Sequence, residues 1–183
     1  MKKLTAGLFV SLDGVVEAPE RWHFPYLNEE LGRALGAQIQ AADTMLLGRA
    51  TYEEFAAHWA HQGSEVPFAD RINGIPKYVV SGTLGVADWQ NTTLLAGPGL
   101  AERIGELKRH PGGDISVTGS VTLVRWLLAQ GLLDELSLMV HPIVVGAGRR
   151  LFDEADTARY PLELVDFTTF STGVVHLTYR TTA

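Results

Sequence analysis

Ile115-Ser116-Val117-Thr118-Gly119-Ser120-Val121-Thr122-Leu123 is the stretch whose reading decides the fold. Alternating apolar residues describe a buried strand over Ile115 to Thr118. A small, polar Thr-Gly-Ser turn then opens a helix over about 121–130, which Gly131 stops as a C-cap. A helix begun this way offers unpaired N–H groups and a positive dipole end to an anion. The spacing is not a GxGxxG, and an ordinary tight turn would carry the same residues.

A second junction of this kind makes the reading more specific. Leu46-Leu47-Gly48-Arg49-Ala50-Thr51-Tyr52 ends a short strand over Thr44 to Leu47 and enters a helix near Thr51 to His58. Gly48 lets backbone approach a ligand. Arg49 adds a planar fork suited to phosphate oxygens, and the Thr51 hydroxyl can cap the helix or meet a phosphate. Ligands gather at the carboxyl ends of the strands of an α/β sheet, so two such junctions predict a shared site.

Outward from these junctions, strand-like and helix-like segments alternate along the whole chain, the mark of an α/β fold. Leu4 to Leu12 reads as a first strand, and residues 14–25 as a long loop. Asn28 is placed to cap a helix over 29–41, with Leu31, Leu35 and Ile39 on one face. A polar, irregular stretch leads from the second helix to Pro76. Lys77 to Val80 and Thr93 to Ala96 read as strands, and Leu100 to Lys108 as a helix. Three strands close the chain, at Glu135 to Val145, Leu162 to Phe170 and Val174 to Arg180, the last two joined by Ser171-Thr172-Gly173. Late strands without helices between them predict antiparallel pairing beside a mostly parallel sheet, with helices on both faces. No linker or repeat divides the sequence, so residues 1–183 are expected to form a single domain.

Composition narrows the function. The chain has no cysteine, which removes disulfides, thiolate nucleophiles and thiolate metal sites. Its net charge is −6, without the basic stripe of a nucleic-acid-binding surface. No membrane-length apolar run and no signal-peptide pattern occurs, so a cytoplasmic protein that avoids membranes is expected. The six histidines fit none of the usual zinc spacings, and no metal is expected. Gly119-Ser120-Val121 lacks the second glycine of a nucleophile elbow. Ser81-Gly82-Thr83 reads as a simple turn or a ribose contact, and Val144 to Arg150 as a glycine-rich bend with two cations.

Five segments now fall in a known order. They are Ser11-Leu12-Asp13-Gly14, Leu47-Gly48-Arg49-Ala50-Thr51-Tyr52, Val79-Val80-Ser81, Val117-Thr118-Gly119-Ser120 and His141-Pro142-Ile143-Val144-Val145-Gly146. Together they resemble the dihydrofolate-reductase-like superfamily, most closely the reductase domain of the riboflavin-pathway deaminase-reductase and its stand-alone bacterial relatives. The resemblance implies an NADPH (with NADH as the other option) whose hydride passes to a small pyrimidine- or pterin-like substrate. It implies cofactor contacts from Gly48, Arg49 and Thr51, from Thr118, Gly119, Ser120 and Val121, from Ser81, and from Val16, Val145 and Gly146 beside the nicotinamide. By the same analogy Phe9 lies under the reacting ring. Asp13 and Trp22 border the substrate, with Asp13 (or Glu17) aiding protonation and Trp22 on a closing loop.

One departure matters. Folate-reducing relatives carry an acid a few positions past the loop tryptophan, where this chain reads His23-Phe24-Pro25-Tyr26-Leu27-Asn28. Glu29 or Glu30 would replace it only with a shift of helix register. A nucleotide- or flavin-binding protein of the same fold without turnover, and a dihydrofolate reductase, therefore stand as alternatives. A homodimer is expected through apolar edge surface on the strand Leu136 to Val140 and the C-terminal hairpin.

Overall fold

Strand β1 (Leu4–Ser11) buries Leu4, Ala6, Leu8 and Val10 on one face and turns Phe9 toward the other, the alternation of a strand covered on both sides. Around it the computed structural model, which describes residues 1–152 and 158–182, forms one eight-stranded sheet. The other strands are β2 (Ala42–Gly48), β3 (Lys77–Val80), β4 (Thr92–Leu95), β5 (Asp114–Thr118), β6 (Glu135–His141), β7 (Leu162–Thr169) and β8 (Val175–Thr181). Their spatial order is β4-β3-β2-β5-β1-β6-β8-β7. Pairing is parallel from β4 to β6 and antiparallel at β6–β8 and β8–β7, as the sequence predicts.

Two helical layers cover the sheet. Helices α1 (Glu29–Ala41), α2 (Arg49–Trp59) and the short α3 (Ala69–Gly74) lie on one side, where Tyr52 and Ile72 pack on Met45, Leu47 and Val79, and Leu31 packs on Met139. Helices α4 (Leu100–Arg109) and α5 (Val121–Ala129) lie on the other, with Ile104, Val124 and Leu127 against Leu4, Leu46 and Ile115. Asn28 caps α1 by accepting from the Leu31 amide at 3.0 Å. Gly131, at φ +64°, closes α5 with the paired bonds Gly131 N to Leu128 O and Leu132 N to Leu127 O. The helices that follow the neighbouring strands β2 and β5 leave to opposite faces. That makes the carboxyl end between β2 and β5 the topological switch point of the sheet.

The structure departs from the sequence reading in three places. The stretch before Pro76, read as irregular, contains α3, whose six residues are too few to show a helical period. Strand β6 stops at His141 rather than Val145 because Pro142 has no N–H to extend the ladder, and Ile143 N turns back to His141 O. Nor is β6 an edge: β1 and β8 pair with it on both sides, and of the expected edge surface β7 of the C-terminal hairpin alone lies at an edge, with β4 at the other. The exposed apolar side chains of this region are Leu164, Val165 and Phe167 of β7, with Phe167 64% exposed.

Lys77 opens β3 and is 0% exposed. Its Nζ donates to the carbonyls of Asn73, Ile75 and Gln90 at 2.9, 2.9 and 3.2 Å and lies 4.4 Å over the Trp89 ring. These bonds tie α3 to the turn before β4, but no carboxylate is among the partners, and burial pushes the ammonium down to about 8. Because the folded pKa lies below the unfolded one, the unfolded chain binds more protons between the two, and stability from this group rises with pH there. The stability difference between wild type and Lys77→Met, followed by urea unfolding, should grow by roughly 3 kcal/mol in favour of wild type from pH 8 to pH 10.5. A flat difference would show that Lys77 is not desolvated as described.

Candidate active site

The two junctions meet. Ser120 Oγ accepts from the Gly48 amide at 2.9 Å, and the Ser120 amide donates to Thr51 Oγ1 at 3.1 Å. Ser120 takes φ +50° to do so, a left-handed backbone that a serine adopts only under constraint. Neither helix has a side-chain cap: Gly48 leads α2 and Ser120 leads α5 without one. Two bare helix N-termini therefore open side by side at the switch point, each with unpaired first-turn amides. Gly119, at φ +59°, lies so close to Thr51 that an added Cβ would sit 3.3 Å from its Oγ1. Arg49 and Thr118 are exposed at the mouth, and among the described residues Arg49 pairs with Glu53 alone, at 4.0 Å. Ser81 follows Val80, the strand partner of Gly48, and its Oγ accepts from the amides of Thr83 and Leu84 at 3.1 and 2.9 Å. That is the simple turn, leaving the hydroxyl proton for another acceptor.

A second group gathers where β1 ends. The Asp13 carboxylate accepts from Ser11 Oγ at 2.6 Å and from the amides of Val145 and Gly146 at 3.0 and 2.9 Å. The Ser11 hydroxyl and these two amides hold the carboxyl down to about 2. Asp13 is thus an anion at neutral pH, with no proton to give, and its visible work is to clamp the loop after β6. Glu17 does likewise, accepting from Arg149 N at 2.7 Å, while Val16 N donates to Arg149 O. The two loops enclose a cleft of about 560 Å³ lined in part by Glu17, Arg21, Trp22, Val145 and Gly148. Val16 is buried beneath this zipper.

Beside the cleft lies a cage of rings. Phe9 stacks on His23 with centroids 4.5 Å apart and planes at 16°. The His141 ring stands nearly perpendicular to Phe9, Trp22, His23 and Tyr26, at 5.3, 5.2, 6.0 and 5.6 Å. Trp22 is buried and donates its indole N–H to Glu17 O at 3.1 Å. His141 is 0% exposed and its Nδ1 lies 2.8 Å from Met139 O. Burial pushes its pKa down, against the Met139 and Val10 carbonyls, so the ring is neutral and Nδ1 carries the proton. Its Nε2, and Nδ1 of the buried His23, have no hydrogen-bond partner among the described residues. A buried polar atom left without a partner costs about 1–3 kcal/mol.

The predicted residues therefore fall into three neighbouring groups: Gly48, Arg49, Thr51 and 118–121; Asp13, Val16, Val145 and Gly146; and Phe9 with Trp22. The sequence reading set both cage histidines aside as dispersed. His141 lay inside a quoted motif, but a single sequence carries no sign of an unsatisfied ring nitrogen. Glu30, weighed as a replacement acid, is held elsewhere. Its carboxylate accepts from the Ser171 amide and hydroxyl at 2.8 and 2.7 Å and from Asn28 Nδ2 at 3.2 Å. Glu29 is exposed and reaches Arg33 at 3.2 Å.

Comparison with known proteins bears on the fold and the family. A family model described as the RibD C-terminal domain matches residues 2–176. The chain is 28% identical to the uncharacterized protein YyaP of Bacillus subtilis (strain 168) over 183 residues, 98% of this chain and 95% of that one. Among solved structures it is similar to a riboflavin biosynthesis protein, so described, from Shewanella sp. PV-4, with a TM-score of 0.75, 18% identity and 99% of each chain covered. It is also similar to dihydrofolate reductase from Enterococcus faecalis complexed with NADP(H), with a TM-score of 0.64, 17% identity, and 99% and 97% of the two chains covered. The fold is dihydrofolate-reductase-like.

Replacing Asp13 by Asn removes the anionic acceptor of the clamp. The amides of Val145 and Gly146 should then exchange with solvent about tenfold faster. In the wild type the clamp is intact above about pH 4 and is lost as pH falls through about 2, the order expected when the folded carboxyl lies below its usual 3.8. Unchanged protection of these two amides in Asp13→Asn would rule out the clamp.

Proposed function

The chain belongs to the RibD C-terminal domain family, and on that premise we propose that it is an NADPH-dependent reductase acting on a small pyrimidine- or pterin-like heterocycle. The observation that carries the reading is the pair of uncapped helix ends locked together through Ser120 at the switch point of the sheet. The amides at the starts of α2 and α5 suit a dinucleotide's phosphates, and the absent Cβ of Gly119 leaves the room between them. Arg49 adds an exposed cation at the start of α2. Val145 and Gly146, fixed by Asp13, and Val16 beneath them form the wall for the nicotinamide.

When bound, the cofactor supplies the hydride; the protein's part is to bind, orient and exclude water. Asp13 acts here as a positioning residue, because its lone pairs are engaged and it carries no proton. Trp22 closes the cage over the substrate side. Folate itself is disfavoured as substrate: Glu30 is bound to Ser171, and among the described residues no carboxylate stands in the cage in place of the missing acid. The reading includes a cytoplasmic homodimer, for which the exposed Leu164 and Phe167 on edge strand β7 supply a contact surface.

Calorimetric titration should give NADPH binding at about micromolar Kd or tighter, with NADH titrated alongside because Gly82-Thr83 after Ser81 brings no arginine to a 2′-phosphate. Gly119→Asp should abolish that binding by setting a carboxylate against the phosphates. No binding at millimolar cofactor, or unchanged affinity in Gly119→Asp, would end the proposal. Binding without oxidation by any pyrimidine or pterin acceptor would identify a nucleotide-binding protein without turnover. Sedimentation at a single chain's 19.9 kDa would remove the dimer.

A further inference from the structure

His23 and His141 are the two buried side chains of the cage that the reading above leaves without a task. Both sit at the carboxyl end of the sheet, His141 closing β6 and His23 following the Trp22 turn. His141 points its Nδ1–H at Met139 O, which leaves the Nε2 lone pair facing into the rings with no donor among the described residues. His23 lies flat on Phe9 at 4.5 Å and 16°, the distance and tilt at which one planar heteroaromatic ring rests on another. Its own Nδ1 also lacks a partner among the described residues, so this stack shields a polar atom from water without giving it a bond.

One event accounts for both unsatisfied atoms. We infer that His23 occupies, in the empty site, the place of a planar heterocycle on Phe9, and that the entering heterocycle displaces it and donates a ring N–H to His141 Nε2. His23 then reaches water, which satisfies its Nδ1, and His141 gains the donor it lacks. The segment that must move is short, and ring packing of Trp22, His23 and Tyr26 holds it more than hydrogen bonds do. It consists of two single-turn 3-10 helices, Pro19–Arg21 and Phe24–Tyr26, neither with a side-chain cap. Trp22 Nε1 to Glu17 O and the 3.4 Å contact of Tyr26 Oη with Pro142 O are its side-chain ties to the surrounding loops.

The arrangement also sets specificity. A carboxylate would bind a protonated diaminopyrimidine as an ion pair. A neutral imidazole nitrogen offers one acceptor and no counter-charge, so it accepts a ring N–H, such as that of a lactam or ureide edge, without the ion pair that favours a cation on a carboxylate. The pair of histidines thus replaces charge recognition with shape and a single lone pair.

This inference rests on the reductase reading, and the test separates the two. Protein already saturated with NADPH is titrated with a diaminouracil and with its ring-N-methylated analogue. The diaminouracil should bind, and methylation should weaken it at least about tenfold. His141→Phe should weaken the diaminouracil by a similar factor with NADPH affinity unchanged. His23→Ala should bind it more tightly than wild type because the competing ring is gone. A spectroscopic measurement on the wild type needs no variant: long-range proton–nitrogen spectra should show His141 as the Nδ1–H tautomer, and its Nε2 resonance should move on adding the diaminouracil. Equal affinity of both compounds, wild-type affinity in His141→Phe, weaker binding in His23→Ala, or an Nε2–H tautomer in the free protein would each overturn the proposal. Failure of NADPH to bind would instead overturn the reading beneath it.

Discussion

Two hydrogen bonds made by one serine hold the functional edge of this protein together. Ser120 receives the Gly48 amide on its hydroxyl and gives its own amide to Thr51, joining the two strand-to-helix junctions across the seam between β2 and β5. The bonds require a left-handed serine, and the sheet around it supplies the constraint: β5 is flanked by β1 and β2, and α5 buries Val121, Leu123, Val124, Leu127 and Leu128 immediately afterwards. With Ser120 in place, the first turns of α2 and α5 stay open to an anion. Without it they would be two unrelated surface turns.

Much of this was legible in the residues. Strand alternation in Leu4 to Ser11, the Asn28 cap and the Gly131 stop each have a local cause, and the structure realises each one. The order of strands and glycine turns also indicated where the carboxyl ends would converge. What could not be read was anything decided by distant packing. Helix α3 is a single short turn fixed by Lys77 and Trp89 rather than by its own pattern. Of the expected edge surface, the hairpin strand β7 lies at the edge and β6 does not, because pairing partners, unlike strand positions, are not written locally.

The site shows the same division. Asp13 was recognisable as important from its place beside Gly14, but its task depended on two amides more than a hundred residues away. Once those bonds are seen, it becomes an anchor for the loop that walls the cleft. The two histidines stood in quoted stretches of the sequence, but nothing there brought them together. Their enclosure by Phe9, Trp22 and Tyr26, and the lack of partners for their inner nitrogens, arise from the closure of one loop over the end of β6.

The Glu30 carboxylate, bound to Ser171 in the turn between β7 and β8, has a consequence for how the molecule moves. The same turn is backed by Phe170, which packs with Leu31 and Met139 just below the ring cage. The hairpin on the outer margin and the first turn of α1 are therefore one mechanical piece, pinned by a carboxylate at one end and by apolar packing at the other. Through that packing the outer hairpin is tied to Met139, two residues before His141 at the floor of the cage.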